Sequence, residues 1–530
     1  LHLSLRRQRQ MCIRDRILSQ PSIRKDKEEE LGSFSSFGVC SMQGWRTSME
    51  DEHIALPNLL AALTPSTNEE KSETKDDSVS KIFESLSQES KDLLSNLGFY
   101  TVFDGHGGDF VAKFSGSNVG RILATTIVEK YSDFLKEKKD LKDFSLTDCL
   151  IESFLKADVE LLEDKLSKLD HSGCTATSLL IDSLNKILYC ANAGDSRTVL
   201  GINGIVKNLS FDHKPTNIGE KTRIMQAGGF VESSRVNGNL ALSRAIGDFE
   251  FKRNDKLPAE EQIVTAYPDI IAHDLNLDTD DFVILACDGI WDCLSSQECV
   301  NLVYYAIQQF PKDKEFSLAE ISSIIIDVCC SPDAGGHGIG CDNMTMMVVA
   351  LLKKGEPLAQ WKERVLAKDI KLADEVNFVD YRKKVFNYYQ FEDNQEFFVT
   401  RKSGKITFDN SGEEEEEEED VDMDADEGSS NNRFRSGLHK QSGLASNNRS
   451  SNEKTIQVPL SEILQLGGDG LTYDQNGMSY IKGDFLKVLG LSGANARFAQ
   501  EEDEEDDDED HNGDTKIEEI NDDDDNVSKK

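Results

Sequence analysis

The chain has 530 residues, with 98 acidic side chains against 59 basic ones and a formal net charge of −39. Two blocks, residues 413–427 and 501–525, carry −28 of that charge, which predicts disordered acidic segments and disfavours nucleic acid or anionic membranes as partners. Apolar runs are too short for a transmembrane segment, and eleven cysteines without a C-x-x-C pair favour a reducing compartment, so we expect a cytoplasmic or nuclear protein.

The first segment, residues 1–22, differs in composition from the rest. It begins on Leu1 and is Arg-rich without an apolar face, so we expect sequence that is foreign to the protein or disordered. A basic targeting arm is the alternative. No Met-Gly start is present, and membrane anchoring by an N-terminal lipid is therefore not assigned.

Two strands are predicted over 37–58, with Arg46 in the turn between them and Glu50 and Asp51 on the second strand. An insertion follows over 62–97, polar at first and amphipathic towards its end. If Glu50 and Asp104 reach one site from neighbouring antiparallel strands, the connection between those strands lies at their opposite end. We therefore expect that the insertion is not an active-site lid.

Periodicity predicts most of the remaining elements up to residue 353. Helices are predicted at 108–139, 146–169, 296–309 and 317–330. Consecutive antiparallel strands are predicted at 175–181, 187–191 and 198–201, and two further buried strands at 282–286 and 344–352. Runs of strands combined with two pairs of helices predict an α+β layered domain, which we place at 33–353.

The C-terminal part is divided by composition. We predict a partly helical extension over 354–410, with the helix at 360–376, and an acidic Ser/Asn-rich linker over 411–454. Alternating apolar positions with GGDG and NG turns predict a small ordered element over 455–493. An acidic disordered tail follows over 494–530. It is expected to be a solubilising surface, with docking of basic proteins as the alternative.

Acidic residues recur at the ends of apolar strands, in a set of short motifs. These are GWRTSMEDEH (44–53), DGHGG (104–108), SGCTAT (172–177), NAGDSR (192–197), ACDGIWD (286–292) and GCDNMT (340–345). A single Asp in such a place is commonly a turn or cap residue. Many carboxylates together, with almost no Cys or His among them, favour a site for hard divalent cations.

In this order, the motifs resemble the metal-dependent protein serine/threonine phosphatases of type 2C, over about residues 37–352. The resemblance implies an α-β-β-α sandwich, in which two packed antiparallel sheets carry helices on both outer faces, and a small flap over 208–262. It also implies phosphoprotein substrates, whose phosphoserine and phosphothreonine are hydrolysed by direct attack of a metal-activated water. The expected cofactor is a pair of Mg²⁺ or Mn²⁺ ions, with a weaker third.

The same resemblance assigns roles to individual residues. The metal positions that it matches are Glu50, Asp51, Asp104, Gly105, Asp288 and Asp342, with Asp195 and Asp292 at the weaker third ion. Arg46 is expected to bind the phosphate, because a planar guanidinium makes two parallel hydrogen bonds to it. His106 matches the general acid. A structural salt bridge for Arg46 and a loop-orienting role for His106 are the alternatives.

Three other residues of interest are expected to be structural. Asp248 and Arg244 are expected to brace the flap junction, and Cys174 is expected in the core. Two functions other than catalysis also remain: a pseudophosphatase scaffold, and an acidic binding protein for basic partners. Deleting residues 411–530 tests the second of these functions, because binding of basic proteins is lost only if the tail is a docking device.

Overall fold

The computed structural model describes residues 17–64, 81–136, 144–163, 170–332, 334, 338–373 and 376–387, together with 471–473 and 479–481. The chain divides into two units, residues 1–436 and 437–530, and the first contains the layered domain. In the second, the described residues are two short antiparallel strands that pair Leu471 with Ile481. They lie within the predicted element at 455–493. The acidic blocks at 413–427 and 501–525 lie outside the described residues.

The strands are numbered in chain order. They are β1 Ile17–Leu31, β2 Ser35–Arg46, β3 Glu52–Leu56, β4 Leu97–Phe103, β5 Gly105–His106, β6 Gly173–Cys174, β7 Ala176–Asp182, β8 Ile187–Ala193, β9 Arg197–Ile202, β10 Ile205–Asn208, β11 Val231–Glu232, β12 Arg235–Val236, β13 Ile246–Gly247, β14 Asp269–Asp274, β15 Asp280–Ala286, β16 Met344–Leu351, β17 Leu471–Tyr473 and β18 Ser479–Ile481.

The helices are α1 Gln88–Ser95, α2 Phe110–Lys136, α3 Leu146–Glu163, α4 Ile218–Gln226, α5 Asp288–Trp291, α6 Ser296–Gln309, α7 Leu318–Cys329, α8 Leu358–Leu366 and α9 Phe378–Asn387. Short 3₁₀ turns occur at Leu59–Leu63, Phe249–Phe251 and Ala259–Glu261. Local sequence explains where several helices begin. Ser295 and Glu298 form a capping box at the start of α6, and Ser317 caps α7; such caps stabilise a helix by about 1 kcal/mol each.

Two antiparallel sheets form the centre of the domain. The first has the strand order β1-β2-β16-β15-β9-β10, and the second has the order β14-β8-β7-β4-β3. Apolar side chains of both sheets, such as Val39, Val283 and Val349 from one and Tyr100 and Leu179 from the other, form a shared core between them. The facing sheets therefore bury this core completely.

Helices cover the outer face of each sheet. Helices α6, α7 and α8 pack with the six-stranded sheet in one apolar cluster, and α2 and α3 pack with the five-stranded sheet in another. Strands such as β15 are buried throughout, because both of their faces are covered. The α-β-β-α sandwich predicted from the sequence is confirmed.

Most of the predicted helices and strands are present within one to three residues of the described ends. Residues 137–139 and 164–169 of two predicted helices lie outside the described residues. In the C-terminal extension, the predicted helix at 360–376 was wrong in extent. The structure has α8, which ends at Leu366, and then a second helix, α9.

The structure differs from the sequence prediction at three places near the sheets. Strand β1 begins at Ile17, inside the predicted atypical segment and before the boundary placed at 33, and pairs with β2 along the sheet edge. Its charged outer positions concealed it, as is usual for edge strands. Strand β9 is not a neighbour of β8 but pairs with β15. Glu50 and Asp51 precede β3 rather than lie on it.

The insertion leaves the sheet at the end expected for it. Strands β3 and β4 pair from Glu52 opposite Phe103 to Leu56 opposite Phe99, so their connection starts at the end remote from Asp104. None of the described residues at 57–64 and 81–96 lines the cleft that contains Asp104. In the part of the chain that the structure describes, no helix combines the length and apolar character needed to cross a membrane.

Candidate metal centre

Four chain segments bring carboxylates to one end of the two sheets. Asp104 follows β4, and Glu50 lies just before β3, whose residue Glu52 pairs opposite Phe103. Asp288 follows β15, and Asp342 lies just before β16, which runs antiparallel to β15. Strand ends that meet at one edge place their flanking residues close together. The sheet topology therefore assembles carboxylates that are up to 292 residues apart in the sequence.

These carboxylates border a cleft of about 460 Å³. Of the residues predicted from the sequence, it is lined by Arg46, Glu50, Asp104, Gly105, His106, Asp195, Asp288 and Asp342. Asp51 and Asp292 are not among its lining residues. The flap also contributes Arg235, Leu240 and Leu242 to the lining, which the sequence analysis did not identify.

The backbone at Asp104 is held by Thr175, which lies between β6 and β7. The Asp104 amide donates to the Thr175 hydroxyl (3.2 Å), and the Thr175 amide donates to the Asp104 carbonyl (2.9 Å). The next residue is Gly105, where an added Cβ would stand 2.2 Å from the Glu50 carbonyl oxygen. Only glycine allows this close approach of the two chain segments.

The buried carboxylates are energetically costly without a cation. Burial and then the charge of neighbouring aspartates raise the pKa of both Asp104 and Asp288 well above the usual range. Burial likewise raises the pKa of Asp51 to about 7. One oxygen of Asp51 accepts a hydrogen bond from the Thr345 hydroxyl (2.7 Å), and the other is buried without a hydrogen-bond partner among the described residues.

This donor set fits a hard divalent ion. It consists of carboxylate oxygens, the ligands that Mg²⁺ and Mn²⁺ prefer, together with an unsatisfied carboxylate oxygen on Asp51. The Cys287 thiol lies within 4.8 Å of ligand atoms of Asp51 and Asp104. Burial and these two carboxylates raise its pKa far above the usual range, so it stays a neutral thiol and a poor ligand.

Glu50 is oriented by residues that the sequence analysis missed. Its carboxylate accepts from the Ser48 hydroxyl (2.8 Å), and its amide donates to the side-chain carbonyl of Asn343 (2.9 Å). Asn343 also donates to the carbonyl oxygens of Gln43 (2.8 Å) and Ser48 (2.9 Å). Asn343 therefore fastens the loop of Glu50 to the segment of Asp342. Its place in the GCDNMT motif was the only sequence signal for it.

The two residues expected at a third ion lie in different settings. Asp195 borders the cleft, and Lys214 donates to its carboxylate (2.6 Å). Asp292 lies at the end of α5, where burial raises its pKa, Lys214 lowers it and Asp195 raises it, with a net upward shift. Lys214 was missed, because no motif in the sequence points to it.

Arg46 lies at the end of β2 and faces the carboxylates. Its Nη2 donates to Oδ2 of Asp342 at 2.5 Å. Burial lowers the pKa of Arg46, but Asp342, Asp288 and Asp104 outweigh this and raise it overall, so the guanidinium remains charged. Its side chain is 42% exposed, which leaves donor groups accessible from the cleft. The predicted salt bridge and the predicted contact with phosphate are thus compatible.

His106 is paired with a residue predicted to be purely structural. Its Nε2 lies 2.7 Å from Oδ2 of Asp248, whose backbone has the left-handed φ of 51°. Burial lowers the pKa of His106 and the Asp248 carboxylate raises it, with a net upward shift. Arg244, in contrast, lies in the flap junction as expected, where it binds Glu220 and Asp269. Cys174 is fully buried, also as expected.

The sequence is similar to known proteins of one family. The family model described as Protein phosphatase 2C matches residues 35–337. Protein phosphatase 2C homolog 2 of Saccharomyces cerevisiae is 49% identical over 395 residues, which cover 74% of this chain and 75% of that protein. Protein phosphatase 2C homolog 3 of Schizosaccharomyces pombe is 46% identical, over 66% of this chain and 74% of that protein.

A solved structure described as a phosphatase from a pathogenic strain of Toxoplasma gondii is also similar. It is 23% identical, with a TM-score of 0.46, over 63% of this chain and 97% of that one.

Proposed function

The chain belongs to the protein phosphatase 2C family of metal-dependent protein serine/threonine phosphatases, and we propose that its carboxylate cleft binds two divalent ions for direct hydrolysis of phosphoserine and phosphothreonine. The observation that carries this proposal is the convergence of Asp104, Asp288 and Asp342 in one cleft. Burial and mutual repulsion raise the pKa of Asp104 and Asp288, so these carboxylates lack sufficient positive charge around them.

The ions would be held by named oxygen donors. Asp104 would hold the ions, with the carbonyl oxygen of Gly105 as a further donor. Asp288 and Asp342 would complete one set of ligands, and Glu50 the other. Asp51, which does not line the cleft but has a ligand atom within 4.8 Å of one of Asp104, would support it. When bound, Mg²⁺ or Mn²⁺ neutralises phosphate oxygens and makes a water molecule more acidic.

The protein's own residues supply the other requirements of hydrolysis. Arg46 is anchored by Asp342 and offers its remaining donors to phosphate oxygens in the cleft. His106 is proposed to give its proton to the departing serine or threonine oxygen, which is a poor leaving group without one. Asp248 holds the imidazole at 2.7 Å and favours its protonated form.

Phosphate release from a phosphothreonine peptide tests this function. We expect activity to disappear with EDTA and to return with Mn²⁺ or Mg²⁺, and titration calorimetry to give two ions per chain. Activity that persists in EDTA would contradict the proposal. A folded protein that binds metal but hydrolyses no peptide would favour the scaffold function instead, although all candidate ligands are present in this chain.

A further inference from the structure

Helix α9 lies beyond residue 337, where the match to the family model ends, but it contacts the segments that lead to the cleft. Arg382 of this helix is 1% exposed. Its Nη1 donates to the carbonyl oxygens of Asp327 (2.5 Å) and Cys330 (2.7 Å) at the end of α7. The last carbonyl groups of a helix have no partner within the helix, so a buried cation there satisfies and fixes them.

The end of α7 in turn holds the segment that leads into Asp342. The amide of Ser331 donates to the carbonyl of Gly340 (2.8 Å). Gly340 has a φ of 72°, and an added Cβ there would stand 2.4 Å from the Cys329 carbonyl oxygen. Gly340 therefore packs directly on the end of α7, two residues before Asp342.

A second connection runs from the same point to the proposed phosphate-binding arginine. The indole Nε1 of Trp45 donates to the carbonyl of Ser331 (2.9 Å). The next residue, Arg46, bonds to Asp342. Ser331, just after α7, thus contacts both Trp45, which precedes Arg46, and Gly340, which lies two residues before Asp342. A shift of Ser331 would therefore displace the segments that carry Arg46 and Asp342.

Helix α9 also borders a cavity of about 220 Å³. Asp292 and Cys293 line one wall, and Tyr381 and Lys384 line the wall formed by α9. Lys384 forms an ion pair with Glu298 at the start of α6. Helix α9 is therefore attached to the start of α6 and borders the same cavity as Asp292.

We propose that Arg382 is a positioning residue for the metal centre. It fixes the end of α7 and thereby holds Ser331, Gly340 and Asp342 in the arrangement that binds a divalent ion. The inference rests on the proposed function, because it concerns the affinity of that centre for metal. Removing the partners that orient a ligand commonly weakens metal binding about tenfold or more, and we expect about tenfold for Arg382→Met.

The chain offers a matched control in Arg364 of α8. Its side chain is 15% exposed and, like that of Arg382, donates to backbone carbonyls, those of Leu277 (2.9 Å) and Leu351 (2.8 Å). Leu351 is at the end of β16 remote from Asp342. Arg364→Met should therefore lower the thermal midpoint without changing metal affinity.

The measurement is calorimetric titration of Mn²⁺ into metal-free wild type, Arg382→Met, Arg382→Lys and Arg364→Met, with thermal midpoints taken in EDTA. We expect Mn²⁺ affinity to fall about tenfold only in Arg382→Met, and to recover partly in Arg382→Lys, which keeps a cation. Equal Mn²⁺ affinities in Arg382→Met and wild type would overturn the inference. Absence of Mn²⁺ binding in wild type would instead overturn the proposed function.

A measurement on the wild type keeps the inference testable if Arg382→Met does not fold. Coupling between two sites is reciprocal, so an ion that is held better when α9 is docked must also stabilise the docked helix. Hydrogen exchange should slow at 378–387 and 338–342 when Mn²⁺ is added. Slowing confined to 104–108, with no change in α9, would overturn the inference.

Discussion

Nε2 of His106 and Oδ2 of Asp248 lie 2.7 Å apart, although 142 residues separate them in the chain. The Asp248 side chain is 4% exposed and that of His106 is 26% exposed, so the pair is anchored in the protein and open to the cleft on the histidine side. The left-handed backbone of Asp248 is uncommon for a residue with a side chain.

Asp248→Asn should reduce hydrolysis of a phosphothreonine peptide more than hydrolysis of p-nitrophenyl phosphate. The aryl oxygen leaves without a proton, whereas the threonine oxygen needs one, and losses of about 100-fold are typical when proton transfer is impaired. The measurement is kcat for both substrates. His106→Gln is the comparison variant and should show the same pattern. Equal losses on the two substrates would contradict proton donation by this pair.

Asp248→Asn should also change the pH profile of kcat. Because Asp248 raises the pKa of His106, activity that requires protonated His106 is retained up to that raised pKa and is lost as the pH rises through it. Removing the carboxylate lowers the pKa, so the alkaline limb of kcat should move to lower pH. An alkaline limb at the same pH in Asp248→Asn and wild type would mean that a group other than His106 determines it.

Gly173→Ala should separate His106 from Asp248. An added Cβ at Gly173 would stand 2.2 Å from Oδ2 of Asp248 and 2.7 Å from Nε2 of His106, so one of them must move. We expect peptide turnover to fall about as far as in Asp248→Asn. Gly98→Ala is the control, because its nearest contact is 3.1 Å, with the ring of Phe34. Normal turnover in Gly173→Ala would show that the pair is dispensable.

Much of this site could be predicted from the sequence because its acidic residues stand at the ends of buried strands. A strand such as β15 has a recognisable apolar pattern, and Asp288, two residues after its end, therefore has a predictable position. Residues that act through long-range contacts carry no such signal. Lys214 and Asp248 lie in a polar segment without periodicity, and their partners, Asp195 and His106, are set by folding alone.

The fold was predictable for a similar reason. The strands that the sequence prediction missed or misplaced have physical causes. Strand β1 is an edge strand with charged, exposed positions, so its sequence resembles a solvated segment more than a strand. Strand β9 follows β8 closely but crosses to the other sheet. Local pattern predicts that both are strands, and only the packing of two sheets decides which strands are neighbours.

Asp288→Asn should abolish metal-dependent turnover and yet stabilise the metal-free protein. Burial and nearby aspartates raise its pKa, so the ionised carboxylate opposes folding when no ion is bound. Stability linked to this group is therefore greatest below its unfolded pKa and decreases as the pH rises through the raised folded value. We expect a higher thermal midpoint than wild type in EDTA at pH 8. A lower midpoint would contradict this account.

Mn²⁺ should reverse the order of the thermal midpoints of wild type and Asp288→Asn. An ion that binds only the folded state raises the thermal midpoint by mass action, and the wild type should gain more than Asp288→Asn. Glu261→Gln, a change at an exposed position of the flap, is the control for loss of one acidic charge. Its response to Mn²⁺ should equal that of wild type.

Arg46→Lys should weaken phosphate binding even though it conserves the charge. A lysine ammonium cannot keep the bond to Asp342 and also present a planar pair of donors to a phosphate. We expect kcat/KM for the peptide to fall about tenfold, and inhibition by inorganic phosphate to weaken in parallel. Arg121→Lys, at a helix surface where Arg121 pairs with Glu160, is the control. Unchanged inhibition by phosphate would remove Arg46 from the phosphate site.

Glu220 should make the flap junction sensitive to acid. Its carboxylate is 7% exposed and accepts from Arg244 (2.7 Å), Arg223 (2.7 Å) and Ser243 (2.6 Å). Burial raises its pKa, but the two arginines outweigh this and lower it to about 2. The stabilisation is therefore complete above the unfolded pKa and is lost as the pH falls towards 2; it is on the order of 3 kcal/mol. Urea unfolding of Glu220→Gln should show a deficit of this order at pH 7 that shrinks at pH 3. A deficit independent of pH would mean that packing, and not charge, holds the junction.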